Sequence, residues 1–341
     1  MPTGESVLAI ARDLADEVLF PDAMRVDRLD VLPAAHLDTL AAVGLYGAPV
    51  PAEAGGLGLD LPEVSGVVEE LAGGCLATAF VLIQHYRLPM TLAVDGAPPA
   101  LRERWLASAV QGRTRGGIAL AGLIPGPPQL RAEPAGDGWR LDGTAPWVTG
   151  WGLIDLVQVV ARGPGDTVVT LIMDAAAQPG LVVTRQRLSA VDASVTVRLG
   201  FDGVVVPHER FVGQVPFDPA VSAQPAALRL NGSLALGVAR RCGRILGPGP
   251  LDDEVTACRA RLDAALEAGP GPMADGRAAA AELALRAAAA LAVRNGGGAV
   301  TVDQHAQRLA REAVFLLVFG SRPGIKSALL QRLGAVPSGS A

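Results

Sequence analysis

Apolar residues recur at helical spacing over residues 5–20, where Leu8, Ala11, Leu14, Ala15 and Val18 fall on one face. A second helix is predicted over 33–44, ended by Gly44. The stretch 45–59 is rich in Pro and Gly and reads as a loop. Asp60 and Glu63 have the spacing of a capping box, with Pro62 in the first turn where its missing N–H is harmless. The helix that follows presents Val64, Val67, Val68 and Leu71 inward, and 75–94 and 99–111 read as two more helices. From about 117 the pattern shortens to a period of two. Runs at 139–141, 147–149, 156–161, 167–173, 181–184, 195–201 and 204–206 are β-rich, separated by turns such as Gly136-Asp137-Gly138 and Gly163-Pro164-Gly165-Asp166. From about 221 the helical period returns, in segments 228–246, 254–268, 274–294 and 304–319. Gly247-Pro248-Gly249-Pro250 and Gly269-Pro270-Gly271-Pro272 end the first two.

This order predicts an α+β architecture: an N-terminal helical domain (1–115), a middle antiparallel β-domain (116–220), a C-terminal four-helix bundle (221–336) and a disordered tail (337–341). Composition supplies a core, since half of the 341 residues are hydrophobic. Aromatics at 4% and a net charge of −5 argue against a nucleic-acid surface. No apolar run reaches the ~18 residues a spanning helix needs. The start of the chain lacks the basic and apolar regions of a secretory signal, so a cytoplasmic protein that docks on no membrane is expected. Cys75, Cys242 and Cys258 are odd in number and far apart, which fits buried thiols rather than a disulfide framework. Neither they nor the four histidines have metal-ligand spacing, and no metal is expected. His85 reads as a packed helix residue or a substrate contact. His36 and His208 are expected at the surface, and His305 as a surface or capping residue.

Six segments in order carry a resemblance. They are Leu40–Gly47 with Val50-Pro51 and Gly55–Gly58; Glu69-Glu70-Leu71-Ala72; Gly143–Gly150; Asp155–Arg162; Val204–Arg210; and the tail Arg308-Leu309-Ala310-Arg311-Glu312-Ala313 running to Val318-Phe319-Gly320-Ser321-Arg322-Pro323 and Ile325. Together they resemble the acyl-CoA dehydrogenase family. That resemblance implies an oxidoreductase that removes hydrogens from the Cα–Cβ bond of an acyl-CoA and passes hydride to FAD. It places Trp147, Val148 and Thr149 on the flavin strand. Trp147 is either a wall for the isoalloxazine ring or a plug of the sheet core. Thr149 is either a donor to the ring's polar edge or an ordinary strand residue. Gly297 and Gly298, in the triplet 296–298, stand where bare backbone of the family approaches a neighbouring subunit's cofactor; a plain inter-helix turn is the alternative.

The chain also departs from the family. The usual catalytic Glu falls on Gly320, which has no carboxylate to remove an α-proton. The segment 228–234, where some members carry the base instead, has none either, and Glu312 is expected to pair with Arg308 or Arg311. The loop Ala119–Gly126 lacks the family's hydroxyl and acidic residues, and Gly247–Pro250 cuts short the bundle helix that helps hold FAD. The resemblance then implies a degenerate, actinobacterial-type member, with FAD lost or shared with a partner. It would form a heterotetramer with an intact acyl-CoA dehydrogenase, or a homodimer or tetramer, acting in lipid metabolism. Two other readings stay open: a homo-oligomeric tailoring enzyme using the acyl pocket for other, non-redox chemistry on a CoA or acyl-carrier thioester, and a non-enzymatic scaffold.

Overall fold

A computed structural model of the chain describes residues 3–218 and 224–335. The boundary expected at 220/221 and the tail 337–341 lie outside them. Helix α1 (Gly4–Leu14) runs through a π-helical turn (Ala15–Leu19) into α2 (Phe20–Val26). Then come α3 (Ala34–Ala42), α4 (Leu61–Gly74), α5 (Leu76–His85), α6 (Arg87–Ala93) and α7 (Pro99–Val110). The capping box forms as expected, with Asp60 Oδ1 accepting from Glu63 N at 2.8 Å and Glu63 Oε2 from Asp60 N at 2.9 Å. Val64, Val67, Val68 and Leu71 are all buried.

The strands are β1 (Gly116–Ala119), β2 (Leu130–Ala135), β3 (Gly138–Val148), β4 (Leu156–Gly163), β5 (Thr167–Asp174), β6 (Leu181–Arg185), β7 (Val197–Pro207) and β8 (Phe211–Pro216). They form one sheet in the order β6-β7-β3-β2-β4-β5-β8, with β1 beside β4. The pairing is antiparallel except at β4, which meets β1 in parallel and β2 in parallel at one position. The reason is connectivity: the β2–β3 hairpin lies between β1 and β4 in sequence, so the chain returns to β1's side in the same direction. The runs expected at 195–201 and 204–206 merge into one strand that begins only at Val197, since Val195 is left-handed, and Asp142 Oδ1 accepts from Gly203 N at 2.9 Å between them. β1 and β8 carry Gly, Pro or Gln and have no clean alternation, while β2 alternates only from Leu130 to Glu133.

After residue 224 come α8 (Pro225–Leu246), α9 (Pro250–Ala268), α10 (Pro270–Asn295), α11 (His305–Val318) and a fifth helix, α12 (Pro323–Arg332). The fifth was not foreseen, because Pro323-Gly324 reads as a breaker whereas Pro here occupies the first helical turn. His36 is also a correction. It is buried, not exposed, because Thr78 Oγ1 (3.1 Å from Nδ1) and Asp22 Oδ2 (3.0 Å from Nε2) satisfy both ring nitrogens. His208 is exposed. None of the described helices is both long and apolar enough to cross a membrane.

The N-terminal helices and the bundle share one hydrophobic core, while the sheet has its own. The shared core is closed where α4 crosses α8. A Cβ on Gly73 would lie 3.0 Å from Gly237 O, and one on Gly237 would lie 2.4 Å from Glu69 O. On the other side, a Cβ on Gly74 would meet Ala15 backbone at 2.9 Å. Helix propensity alone favours alanine over glycine by about 1 kcal/mol, but overpacking a tight core costs about 1–3 kcal/mol. The Gly237→Ala variant is therefore expected to be net destabilised, seen as a lower urea midpoint with an unchanged m-value.

Candidate active site

β3 ends in an irregular stretch that turns one aromatic ring outward. Ala145 pairs with Leu199 and Val148 with Val197, and both are fully buried. The bulge between them inserts Pro146-Trp147 without disturbing the inward register. Trp147 takes φ 64°, a left-handed conformation that costs a bulky residue roughly 1–3 kcal/mol. Its side chain is 63% exposed. The core-plug alternative does not hold for it; Trp139 does that work, buried and stacked on Phe211 at 5.5 Å. Val148 has no exposed surface. Thr149 is 2% exposed, and its Oγ1 lies 3.1 Å from Thr196 Oγ1, so the hydroxyl is spent inside the protein. The loop after β1 is likewise turned inward: Ala121, Gly122 and Leu123 are buried, and Gly122 lies against the backbone of β4 at Ala161.

The segment 191–195 joins this strand end to the bundle. Gly150 N donates to Ser194 O (2.9 Å) and Trp151 N to Val195 O (3.1 Å), while Arg311 of α11 donates to Ser189 O at 2.7 Å. α11 then becomes wholly apolar from Val314 to Phe319, with Val314 and Val318 exposed. Phe315 stacks on Phe319 (5.4 Å, 12°), and both meet Phe80 of α5 edge-on, at 5.3 and 4.8 Å. Gly320 follows immediately, exposed and at φ 59°, the left-handed residue after the helix.

Arg277 of α10 holds this helix end. It is 1% exposed, and its Nη2 donates to Leu316 O (2.9 Å) and Phe319 O (3.3 Å), where the partial negative charge of the helix terminus collects. Burial without a carboxylate partner depresses its pKa to about 10, and it stays charged at neutral pH. Glu312 lies two turns before Gly320. It is 4% exposed, and its Oε1 accepts from Arg308 Nη1 at 2.6 Å. Burial pushes its carboxyl pKa up, against the pull of Arg308. The pairing expected from the sequence is thus with Arg308; Arg311 turns to Gln307 and Asp27 instead. His305 is half-buried, stacked on Phe20 at 4.2 Å.

Gly297 and Gly298 lie in a 3-10 turn (Gly296–Val300) between α10 and α11, where added Cβ atoms would meet nothing within 4 Å. The neighbouring Val293, Val300 and Val302 are 81%, 82% and 73% exposed. This bare apolar turn is on a different element from Trp147–Thr149. His85 is a structural tie: Nε2 donates to Ala109 O (3.0 Å) and Nδ1 accepts from Gly116 N (2.9 Å), joining α5, α7 and β1. The groups the sequence reading passed over are Arg277, the three phenylalanines and Asn231 of α8. Their only advance signal was a cation within an Ala-rich helix and an amide within a Leu-rich one.

Residues 2–113 match the acyl-CoA dehydrogenase N-terminal domain. Human mitochondrial short-chain specific acyl-CoA dehydrogenase is 26% identical over 248 residues, covering 70% of this chain and 60% of that protein. The chain thus spans about 60% of the length of these curated relatives. Among solved structures, butyryl-CoA dehydrogenase from Megasphaera elsdenii superposes with a TM-score of 0.81 at 20% identity, covering 97% of both chains. Glutaryl-CoA dehydrogenase from Mycobacterium smegmatis, in complex with FADH2, gives 0.77 at 19% identity, covering 98% of this chain and 95% of that one. Helices, a central sheet and a helical bundle in this arrangement define the acyl-CoA dehydrogenase fold. Residues 2–113 thus match that family's N-terminal domain, and the chain as a whole has the fold of the acyl-CoA dehydrogenases it resembles.

The histidines make acid stability testable. Burial depresses His85 to about 3 and His305 to about 4, both below the ordinary 6.5. The unfolded chain therefore takes up protons that the folded chain refuses, and stability falls as pH drops from about 6.5 toward 4. Urea titrations at pH 7 and pH 5.2, above most carboxylate titration, should show a lower unfolding free energy at the acid value.

Proposed function

We propose that the chain is an acyl-CoA dehydrogenase-type subunit that seats an acyl thioester and supplies one wall of a flavin site, without providing the carboxylate that removes the α-proton. The observation that carries this reading is the helix end at Gly320. By resemblance a Glu stands there; here the residue has no side chain and a left-handed φ of 59°. The nearest acid on the same helix, Glu312, is buried and held by Arg308, and residues 228–234 of α8 contain none. α-Proton removal needs a carboxylate within hydrogen-bond reach of the substrate carbon, and neither group offers one.

Bound FAD would accept the hydride. The exposed ring of Trp147 suits the flat apolar face of such a cofactor, and the bare backbone at Gly297 and Gly298 admits close approach of a neighbouring subunit's ligand. The polar edge is not served, because the Thr149 hydroxyl is engaged by Thr196 and the 121–123 loop is apolar and buried. These features support a heterotetramer in which an intact family member brings the base and the polar flavin contacts. The reading includes a cytoplasmic location and a substrate oxidised at Cα–Cβ.

The test is the visible spectrum of the purified chain, alone and co-expressed with a full-length family member carrying Glu-Gly-Thr. A colourless chain that joins a yellow complex is expected. A chain that is yellow alone and bleaches on adding butyryl-CoA would overturn the reading.

A further inference from the structure

The space beside Gly320 is taken by another residue. A Cβ on residue 320 would lie 2.9 Å from Nδ2 of Asn231 on α8. Asn231 is half-buried, and its amide makes no hydrogen bond to any described residue. The rest of this turn of α8 is committed. Arg229 Nε donates to Asp263 Oδ1 (2.6 Å) and its Nη1 to Ser233 Oγ (2.6 Å), while Leu228 and Leu234 are buried. Phe319, the residue before Gly320, packs with Phe80 and Phe315 at the helix end. A primary amide has two donors and an acceptor, and here none of them is used by another described residue. Among the described residues beyond its chain neighbours, the one side chain within 4 Å of a Cβ on residue 320 therefore presents unused hydrogen-bonding capacity next to Phe319.

We infer that Asn231 is a ligand-contacting residue whose amide N–H donates to the carbonyl oxygen of an acyl thioester seated between α8 and the end of α11. The acyl group lies against Phe80, Phe315 and Phe319. The inference rests on the acyl-thioester reading above and adds the group that orients the ligand. An amide can hold a carbonyl but cannot accept its α-proton near neutral pH, so the contact positions the thioester and leaves proton removal to another group. Gly320 belongs to the same device, since any Cβ there would push the amide aside.

The test is isothermal titration of the full chain with butyryl-CoA, and with CoA lacking the acyl group. The variants are Asn231→Leu, the near-isosteric Asn231→Asp, Gly320→Ala and the double Asn231→Leu/Gly320→Ala, each checked for an unchanged fold by circular dichroism. Losing one neutral hydrogen bond should weaken butyryl-CoA binding by about 2–10-fold. Asn231→Asp should weaken it at least as much, because a carboxylate opposes the carbonyl oxygen. Gly320→Ala should mimic Asn231→Leu, and the double variant should be no weaker than the weaker single, as expected of two residues acting through one contact. CoA affinity should not move. Equal affinity of wild type and Asn231→Leu, additive losses, or a parallel loss for CoA would each overturn the assignment of Asn231 alone. A wild-type chain that binds CoA but gains nothing from the butyryl group, or binds neither, overturns the thioester reading and this inference with it.

Discussion

The fold depends on one backbone-to-backbone contact, the crossing of α4 and α8 at Gly73 and Gly237. A glycine in a helix interior, as Gly237 is, costs about 1 kcal/mol in propensity, and only close approach of the two helices returns that cost. The approach brings charged side chains out of water with the backbone. Glu69 and Glu70 of α4 are 1% and 2% exposed. Glu70 is held by Arg12, Arg240 and Arg244, and Glu69 by Arg259 with Arg229 beyond. Asp16 in the π-helical turn binds Arg241 and Arg244. Buried ion pairs add little net stability over apolar packing, but losing one partner is costly. The network therefore acts on register: sliding α8 along α4 would strand several buried charges at once.

That register fixes the candidate site. α8 carries Asn231 near one end and the arginines that lock onto Glu70 and Asp16 near the other, so the crossing sets where Asn231 lies. The second anchor is Arg277, whose buried guanidinium caps α11 and holds the Phe319–Gly320 turn against α8. The third is the segment 189–195, tied to α11 by Arg311 and to the end of β3 by Gly150 and Trp151. Sheet and bundle have separate cores, yet both are hydrogen-bonded to this one segment. The end of α11 is thus aromatic and largely apolar, with the Asn231 amide beside Gly320 and no free carboxylate on α11 or at the start of α8.

Much of the fold was legible along the chain. The capping box at Asp60 and Glu63, the turns at 136–138 and 163–166, the breaks at 247–250 and 269–272 and the change of period near 117 are local signals, and they form as local physics requires. β1 and β8 were not legible, because a short strand of Gly, Pro and Gln gains its pairing from neighbours rather than from alternation; β2 does alternate, with Leu130 and Ala132 inward and Arg131 and Glu133 outward, but for only four residues before Pro134. α12 was hidden behind Pro323-Gly324. His36 went inside because two distant partners, Asp22 and Thr78, satisfy it there.

At the site the division follows the same line. The sequence by itself determined the order of helices and strands, the family the chain resembles and the absence of a side chain at residue 320, since each is written in residue identity and spacing. Only the tertiary structure decided that Trp147 faces out while Thr149 is turned in, that Glu312 is sealed by Arg308, and that Asn231 reaches the space beside Gly320. Those outcomes depend on a strand bulge, a buried ion pair and a helix crossing. Each is a contact between residues far apart in the chain, and its energy exists only once the two segments have met.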